Sequence, residues 1–79
     1  MKVQDIVTID NDIQFGTPVF KDTRVPLVSL FIHLEKGYSI REFTDSFPSV
    51  TKEQCEAALG LAEKIFGSKN LDQLYEIAA

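Results

Sequence analysis

The sequence predicts a mainly α-helical fold: a small domain of three core helices, with a short β-hairpin before them and a short helix after them. Three observations predict it. Apolar residues recur at helical spacing in three successive segments, two of those segments begin with the same capping pattern, and the N-terminal segment is instead rich in β-branched residues. We expect one domain over residues 1–79, with the hairpin at about 5–21, the helical core at about 25–66 and the C-terminal helix at about 71–78.

The hairpin is predicted from residues 6–15. The β-branched run at residues 6–9 indicates a strand, the polar residues 10–12 indicate a turn, and Ile13, Gln14 and Phe15 are expected to form a second short strand. A two-stranded hairpin is marginal by itself, so we expect it to pack on the helices or to pair with another chain.

The segment GTPVFKDTRVP, residues 16–26, connects the hairpin to the first helix. Gly16 and Pro18 are expected to turn the chain out of the hairpin, with residues 18–20 continuing extended. Pro26 suits the first position of a helix because its missing N–H would be unpaired there. Arg24 leaves two interpretations open: it bonds backbone carbonyls and holds the hairpin to the helices, or it contacts a phosphate.

The first core helix is predicted to start at Val25 or Pro26 and to end at Gly37, a residue that accepts the left-handed conformation just past a helix. Its apolar stripe consists of Leu27, Leu30, Phe31 and Leu34, widened by Val28 and Ile32. The breadth of this stripe indicates that the helix is central to the core.

The next two helices share one start signal, a capping box. Ser39 with Glu42 predicts a helix beginning near residue 40, and Thr51 with Gln54 predicts another beginning near residue 52. Pro48 cannot continue the first of the two, which is therefore only about two turns long. The second is expected to run to Gly67.

The last predicted helix, at about residues 71–78, is short and therefore marginal unless it docks on something. Its apolar face consists of Leu71, Leu74, Tyr75 and Ile77. We expect these side chains to serve either the core or a partner.

The composition excludes several function classes. With Cys55 as the only cysteine and His33 as the only histidine, one chain cannot assemble a disulfide or a Cys/His metal cluster. We interpret both as structural residues, and since no nucleophile–base set or glycine-rich phosphate loop is visible, we expect neither an enzyme nor a cofactor. The net charge of −4 provides no domain-wide basic field for nucleic acid. No apolar run is long enough to span a membrane and no signal peptide is visible, so we expect a cytoplasmic protein.

A core helix, a short capped helix, a tight turn and a longer capped helix together predict a trihelical arrangement of the helix-turn-helix type. Residues 15–59 also resemble a small bacterial and archaeal family, the domain of unknown function 433 (DUF433). The matching positions are Gly16, Pro18, Val19, Thr23, Arg24, Pro26, Gly37, Ser39, Glu42, Pro48, Thr51 and Ala58. The resemblance covers about residues 6–62. This sequence departs from the family pattern at Thr17, Asp22 and Phe47, and Asp22 suits a position that needs positive φ.

The resemblance implies a homeodomain-like helix-turn-helix protein. It further implies a homodimeric antitoxin encoded beside a PIN-like ribonuclease toxin, which binds the toxin and its own operator. Six residues are then the candidate DNA contacts: Lys21, Arg24, Arg41, Thr51, Lys52 and Gln54. Leu71, Leu74, Tyr75 and Ile77 are the candidate partner contacts.

Two alternatives stay open beside the DNA-binding antitoxin. The start of the helix after Thr51 also fits a solvated face with a capping glutamine, because Glu53 and Glu56 beside Lys52 would repel phosphates. The acidic ends of the chain favour a module that binds a basic protein without reading DNA. An orphan regulatory domain with no toxin is the remaining interpretation.

Overall fold

The computed structural model of the protein describes residues 3–67. Two short strands and three α-helices follow one another along them: β1 (Val7–Thr8), β2 (Val19–Phe20), α1 (Leu27–Glu35), α2 (Ile40–Ser46) and α3 (Lys52–Phe66). Single 3-10 turns lie at Val3–Asp5 and Gln14–Gly16. The mainly helical fold with an N-terminal antiparallel hairpin is confirmed. The helix predicted at about 71–78 lies outside the described residues.

The hairpin differs from the prediction in its second strand. β1 pairs antiparallel with β2, with Val7 opposite Phe20 and Thr8 opposite Val19. Ile13 forms only an isolated bridge with Asp10, and the residues after it turn instead of extending, so the strand predicted at residues 13–15 was wrong. Burial explains the difference: Val19 and Phe20 are fully buried, whereas Phe15 is 98% exposed.

α1 begins at Leu27, with Pro26 as its N-cap residue, so the predicted start was one or two residues early. Its C-terminal end is closed by Gly37, which has a φ of +91°. The N–H of Gly37 donates to the carbonyl of Leu34 at 3.0 Å, and the N–H of Tyr38 donates to that of His33 at 3.0 Å. This pair of bonds is the Schellman motif, and it confirms the predicted stop.

Both predicted capping boxes are present. The Ser39 hydroxyl accepts from the N–H of Glu42 at 3.1 Å, and the Glu42 carboxylate accepts from the N–H of Ser39 at 3.1 Å. Thr51 and Gln54 repeat the exchange at 3.1 and 2.9 Å. Each box satisfies two backbone N–H donors at the start of its helix, so the first residues of α2 and α3 are fixed.

The core lies where the hairpin meets the three helices. Its buried members are Ile6, Phe20, Leu30, Phe43, Val50, Cys55 and Ala58. The rings of Phe20 and Phe43 lie 6.2 Å apart, and those of Phe43 and Phe47 lie 4.9 Å apart. β2, α2 and the turn before α3 are therefore fixed to one another by aromatic packing.

Candidate functional site

The segment between β2 and α1 is held to α3 by side chains other than Arg24. The amide nitrogen of Gln54 donates to the carbonyl of Lys21 at 3.1 Å. The Thr23 hydroxyl donates to the carbonyl of Phe20 at 2.8 Å and accepts from the N–H of Val25 at 3.1 Å. The Gln54 bond connects the hairpin segment to α3, and the two Thr23 bonds fix the local conformation of residues 20–25.

Arg24 is exposed, and within residues 3–67 its guanidinium makes no hydrogen bond or ion pair. The interpretation of Arg24 as a backbone clamp was therefore wrong, since the bond from Gln54 to the Lys21 carbonyl carries out that role. Asp22, two residues earlier, has a φ of +62°. This confirms that the position needs a residue that tolerates the left-handed conformation.

The candidate DNA contacts lie near the N-terminal end of α3, but in separate places. Arg41 and Lys52 line one groove of about 240 Å³, together with Ile40 and Thr44. Lys21 meets Gln54 through its main chain only, and Arg24 lines a second concavity. The structure thus brings Arg41 and Lys52 together and leaves the other basic side chains outside that groove.

Two of the six candidates are already engaged in local bonds. The Thr51 hydroxyl caps α3, and the oxygen and nitrogen of the Gln54 amide bond to Thr51 and to Lys21. Gln54 would have to release these bonds before its amide could read a base edge. The sequence could not reveal the bond to Lys21, because it joins residues 33 positions apart.

The exposed face of α3 is predominantly acidic. Glu53, Glu56 and Glu63 are exposed on it, against Lys52 and Lys64. Lys52 Nζ lies 3.7 Å from Glu56 Oε1, so part of the lysine charge is already compensated within the helix. These three glutamates outnumber the two lysines, so a duplex approaching α3 would meet a small net negative charge.

Large apolar side chains are exposed in three places that sequence reasoning missed. One is α1, where Val28 is 54% and Ile32 is 42% exposed although both were expected to widen its core stripe. At the N-terminal loop, Ile9 is 68% and Phe15 is 98% exposed, and at the end of α3, Ile65 is 46% and Phe66 is 66% exposed. Phe15 had been placed in a strand, and residues 65 and 66 within the helix expected to run to Gly67. The signal available in the sequence was the length of α3, which has 15 residues against 9 in α1 and 7 in α2. The predicted partner contacts Leu71, Leu74, Tyr75 and Ile77 lie outside the described residues.

The two residues with the greatest chemical reactivity are structural. Cys55 is buried in the core, and this burial, with the nearby charge of Glu56, raises the pKa of its thiol. His33 donates from Nδ1 to the carbonyl of Ser29 at 2.7 Å and packs edge-on against Phe43 and Phe47. Over residues 3–67 there is no group of three or more potential metal ligands. None of the helices in that range is long and apolar enough to cross a membrane.

Comparison with known proteins gives a family and no activity. The family model "Protein of unknown function (DUF433)" matches residues 7–62. The uncharacterized protein y4eO of Sinorhizobium fredii (strain NBRC 101917 / NGR234) is 35% identical over 60 residues, which is 76% of this chain but only 27% of that protein. The crystal structure of a DUF433 member from Anabaena variabilis ATCC 29413 is similar with a TM-score of 0.66 and 26% identity, over 98% of this chain and 72% of that one. The chain therefore belongs to the DUF433 family.

Proposed function

We propose that the protein is a cytoplasmic, non-enzymatic regulator of the antitoxin type, which acts by binding a basic protein partner through the end of α3. The carrying observation is the exposure of Ile65 and Phe66 at the end of α3. The basic charge of the partner is supported by the excess of acidic over basic residues in positions 51–79. The choice of a PIN-like ribonuclease toxin as the partner is supported by the family resemblance alone.

The surrounding surface suits a protein partner. A groove of about 300 Å³ runs beside these residues, with Ile6, Ala57, Gly60 and Leu61 as its apolar lining and Glu63 and Lys64 at its rim. Nothing lies within 4 Å of the position that a Cβ on Gly60 would occupy, so the groove is open there. Aromatic anchors next to open apolar grooves are typical of the residues that dominate binding energy at interfaces.

The test is binding of the product of the neighbouring gene to the purified chain. We expect a stable complex with the wild type and an affinity at least about tenfold lower for Phe66→Ala, since truncation of an interface aromatic costs more than about 1.4 kcal/mol. Tyr38→Ala is the matched control, because it truncates another half-exposed aromatic in the α1–α2 connection. Absence of a complex, or equal loss with both variants, would contradict the proposal.

DNA binding through the helix-turn-helix is the second candidate. The observation that favours it is the groove shared by Arg41 and Lys52, which places two cations at the N-terminal ends of α2 and α3. In helix-turn-helix proteins the start of the second helix is the part that approaches the bases. Glu53 and Glu56 lie beside Lys52, so the cations available for such a contact at this end are Arg41 and Lys52.

A mobility-shift titration on the chain's own promoter tests this candidate. We expect Arg41→Ala and Lys52→Ala each to lower the slope of log affinity against log salt by about one phosphate contact. Lys64→Ala, at the opposite end of α3, is the control and should leave the slope unchanged. No shift of the promoter at low salt would eliminate DNA binding while leaving the protein-binding proposal standing.

A further inference from the structure

The groove of about 300 Å³ beside the end of α3 has an apolar lining and is open over residues 3–67. It lies between Ile6 and four residues of α3 that recur at i, i+3, i+4 and i+7, and that therefore share one face of the helix. Among residues 3–67, nothing lies within 4 Å of the position that a Cβ on Gly60 would occupy. This face of α3 has room for a further element of the fold. Its four residues are Ala57, Gly60, Leu61 and Lys64.

The segment that follows α3 has the same spacing of apolar residues. The helix that the sequence predicts at about residues 71–78 carries Leu71, Leu74, Tyr75 and Ala78 at i, i+3, i+4 and i+7. Gln73 falls on the opposite face of that helix. A short amphipathic helix is marginal by itself and is stabilised when its apolar face is covered. The segment and the groove therefore offer apolar faces of equal length to each other.

The connection between the two faces is short enough to bring them together. α3 ends at Phe66, so residues 67–70 separate it from the predicted helix. Antiparallel helices are commonly joined by about 2–5 residues. A helix over residues 71–78 would extend about 12 Å, which equals the length of the stretch of α3 that lines the groove.

A turn at residues 67–70 also matches the two faces in size. It places Ala57 near the level of Ala78 at the far end of the contact, and Gly60 near the level of Tyr75 in the middle. The smallest residue of one face thereby meets the largest residue of the other. An aromatic side chain buried in this way removes about 150–250 Å² of surface from water.

The charges at the rim of the groove are balanced. Glu63 and Lys64 are both exposed there, and Lys64 makes no ion pair within residues 3–67. The segment likewise carries both signs, with Lys69 in the connection and Asp72 beside the first apolar residue of the predicted helix. Charge therefore neither selects nor repels this segment, and the matching apolar faces identify it as the occupant.

We propose that residues 71–78 bind back along α3 as an antiparallel helix, fill the groove and close it to a protein partner. A short tether gives the segment a local concentration on the order of millimolar at the groove, which a free partner has to exceed through its affinity. The partner must displace the segment before it can enter the groove. This closure rests on the partner binding proposed above, whereas the docking of the segment does not.

A pair of introduced cysteines tests the docking in the full-length chain. Cys55→Ala removes the native thiol, and Ala57→Cys with Ala78→Cys then places two thiols at positions that face each other in the docked segment. In a glutathione redox buffer this variant should form its internal disulfide at least about tenfold more readily than a variant with Glu56→Cys in place of Ala57→Cys. Glu56 is the matched control because it is the neighbouring residue, is exposed and does not line the groove. Equal disulfide formation in the two variants, or disulfides between chains instead of within them, would overturn the docking.

Amide hydrogen exchange tests the apolar contact without introduced cysteines. Leu74→Ala removes a side chain from the docking face, so the amides of residues 63–66 in the last turn of α3 should exchange at least about tenfold faster than in the wild type. Gln73→Ala is the control, because Gln73 lies on the opposite face of the predicted helix, and it should leave the exchange rates unchanged. Wild-type rates in Leu74→Ala, or the same increase in both variants, would contradict the docking.

The oxidised and reduced forms of the Ala57→Cys and Ala78→Cys variant test the closure. The oxidised form, with its groove covered, should bind the product of the neighbouring gene at least about tenfold more weakly than the reduced form. Equal binding by the two forms would overturn the closure. Binding by neither form would contradict the closure together with the partner function, and the disulfide ratio would still decide the docking.

Discussion

The α2–turn–α3 unit and the N-terminal loop differ in how well their backbones are stabilised by hydrogen bonds and by favourable φ angles. In the first, two capping boxes satisfy the helix starts and the Gln54 amide bonds both to its own helix and to the hairpin segment. In the second, the strands are two residues long and two non-glycine residues have positive φ beside a fully exposed phenylalanine. The difference indicates that the helical unit is the better stabilised part of the fold and that the N-terminal loop contributes less to its stability.

The largest expected effect is in the core. Phe43→Ala should lower the free energy of unfolding by about 3–5 kcal/mol, because Phe43 is fully buried between Phe20, His33 and Phe47. In a domain this small that loss can leave little folded protein. Phe43→Leu, with an expected cost below about 1.5 kcal/mol, keeps the comparison measurable by urea denaturation. A Phe43→Ala variant as stable as the wild type would mean that the core is not centred on this ring.

The next largest expected effect on stability comes from the hydrogen bond between Gln54 of α3 and the Lys21 carbonyl of the hairpin segment. Gln54→Ala removes one half of a capping box and the donor to Lys21, and should cost about 1–2 kcal/mol in urea denaturation. Gln54→Glu keeps an acceptor for the Thr51 N–H and loses only the donor, so it should cost about 1 kcal/mol. If Gln54→Glu matches the wild type, the 3.1 Å contact with Lys21 does not stabilise the fold.

Glycine substitutions should change the free energy of unfolding in opposite directions in the two regions. Gln14→Gly relieves a φ of 51° and is expected to raise the free energy of unfolding by about 0.5–1 kcal/mol. Ala57→Gly, inside α3, should lower it by about 0.8–1.0 kcal/mol, because glycine is a poor helix former. Thermal denaturation of the two variants side by side measures both. A destabilising Gln14→Gly would show that the loop is not strained.

The smallest effect is a dependence on pH. Because the pKa of Cys55 is raised by burial above its ordinary value of 9.0, the folded state holds the thiol proton to a higher pH than the unfolded state does. The protonated thiol therefore contributes its full share to the free energy of unfolding below about pH 9, and this contribution is lost as the pH rises through the folded-state pKa. Comparing the free energy of unfolding of the wild type and Cys55→Ala between neutral and alkaline pH isolates the contribution of this thiol. Parallel pH profiles of the two proteins would contradict the raised pKa.

Local patterns predicted the helical unit well. Ser39, Thr51 and Gly37 act through partners within a few positions along the chain, so their spacing was sufficient to place the caps and the stop. The second strand was misplaced because residues 13–15 and residues 18–20 both fit a short strand, and only tertiary burial of Val19 and Phe20 decides between them.

The candidate site was harder to predict because it too depends on contacts between residues that are distant in the sequence. The bond from Gln54 to Lys21 spans 33 positions. The concavity of about 760 Å³ that Arg24 lines combines residues from β1, the loop, the segment before α1 and the turn before α3. Neither has a periodic signature in the sequence. The exposure of Phe15 depends on the left-handed turn at Gln14, which a hydrophobic pattern does not report.

The contrast between the helical unit and the N-terminal loop is tested most directly by measuring the free energy of unfolding of Phe15→Ala and Phe43→Ala by urea denaturation. The account predicts a value within about 0.5 kcal/mol of the wild type for Phe15→Ala, because the Phe15 ring is 98% exposed. For Phe43→Ala it predicts a loss of about 3–5 kcal/mol. A Phe15→Ala variant that loses as much stability as Phe43→Ala would place Phe15 in the core and contradict the account.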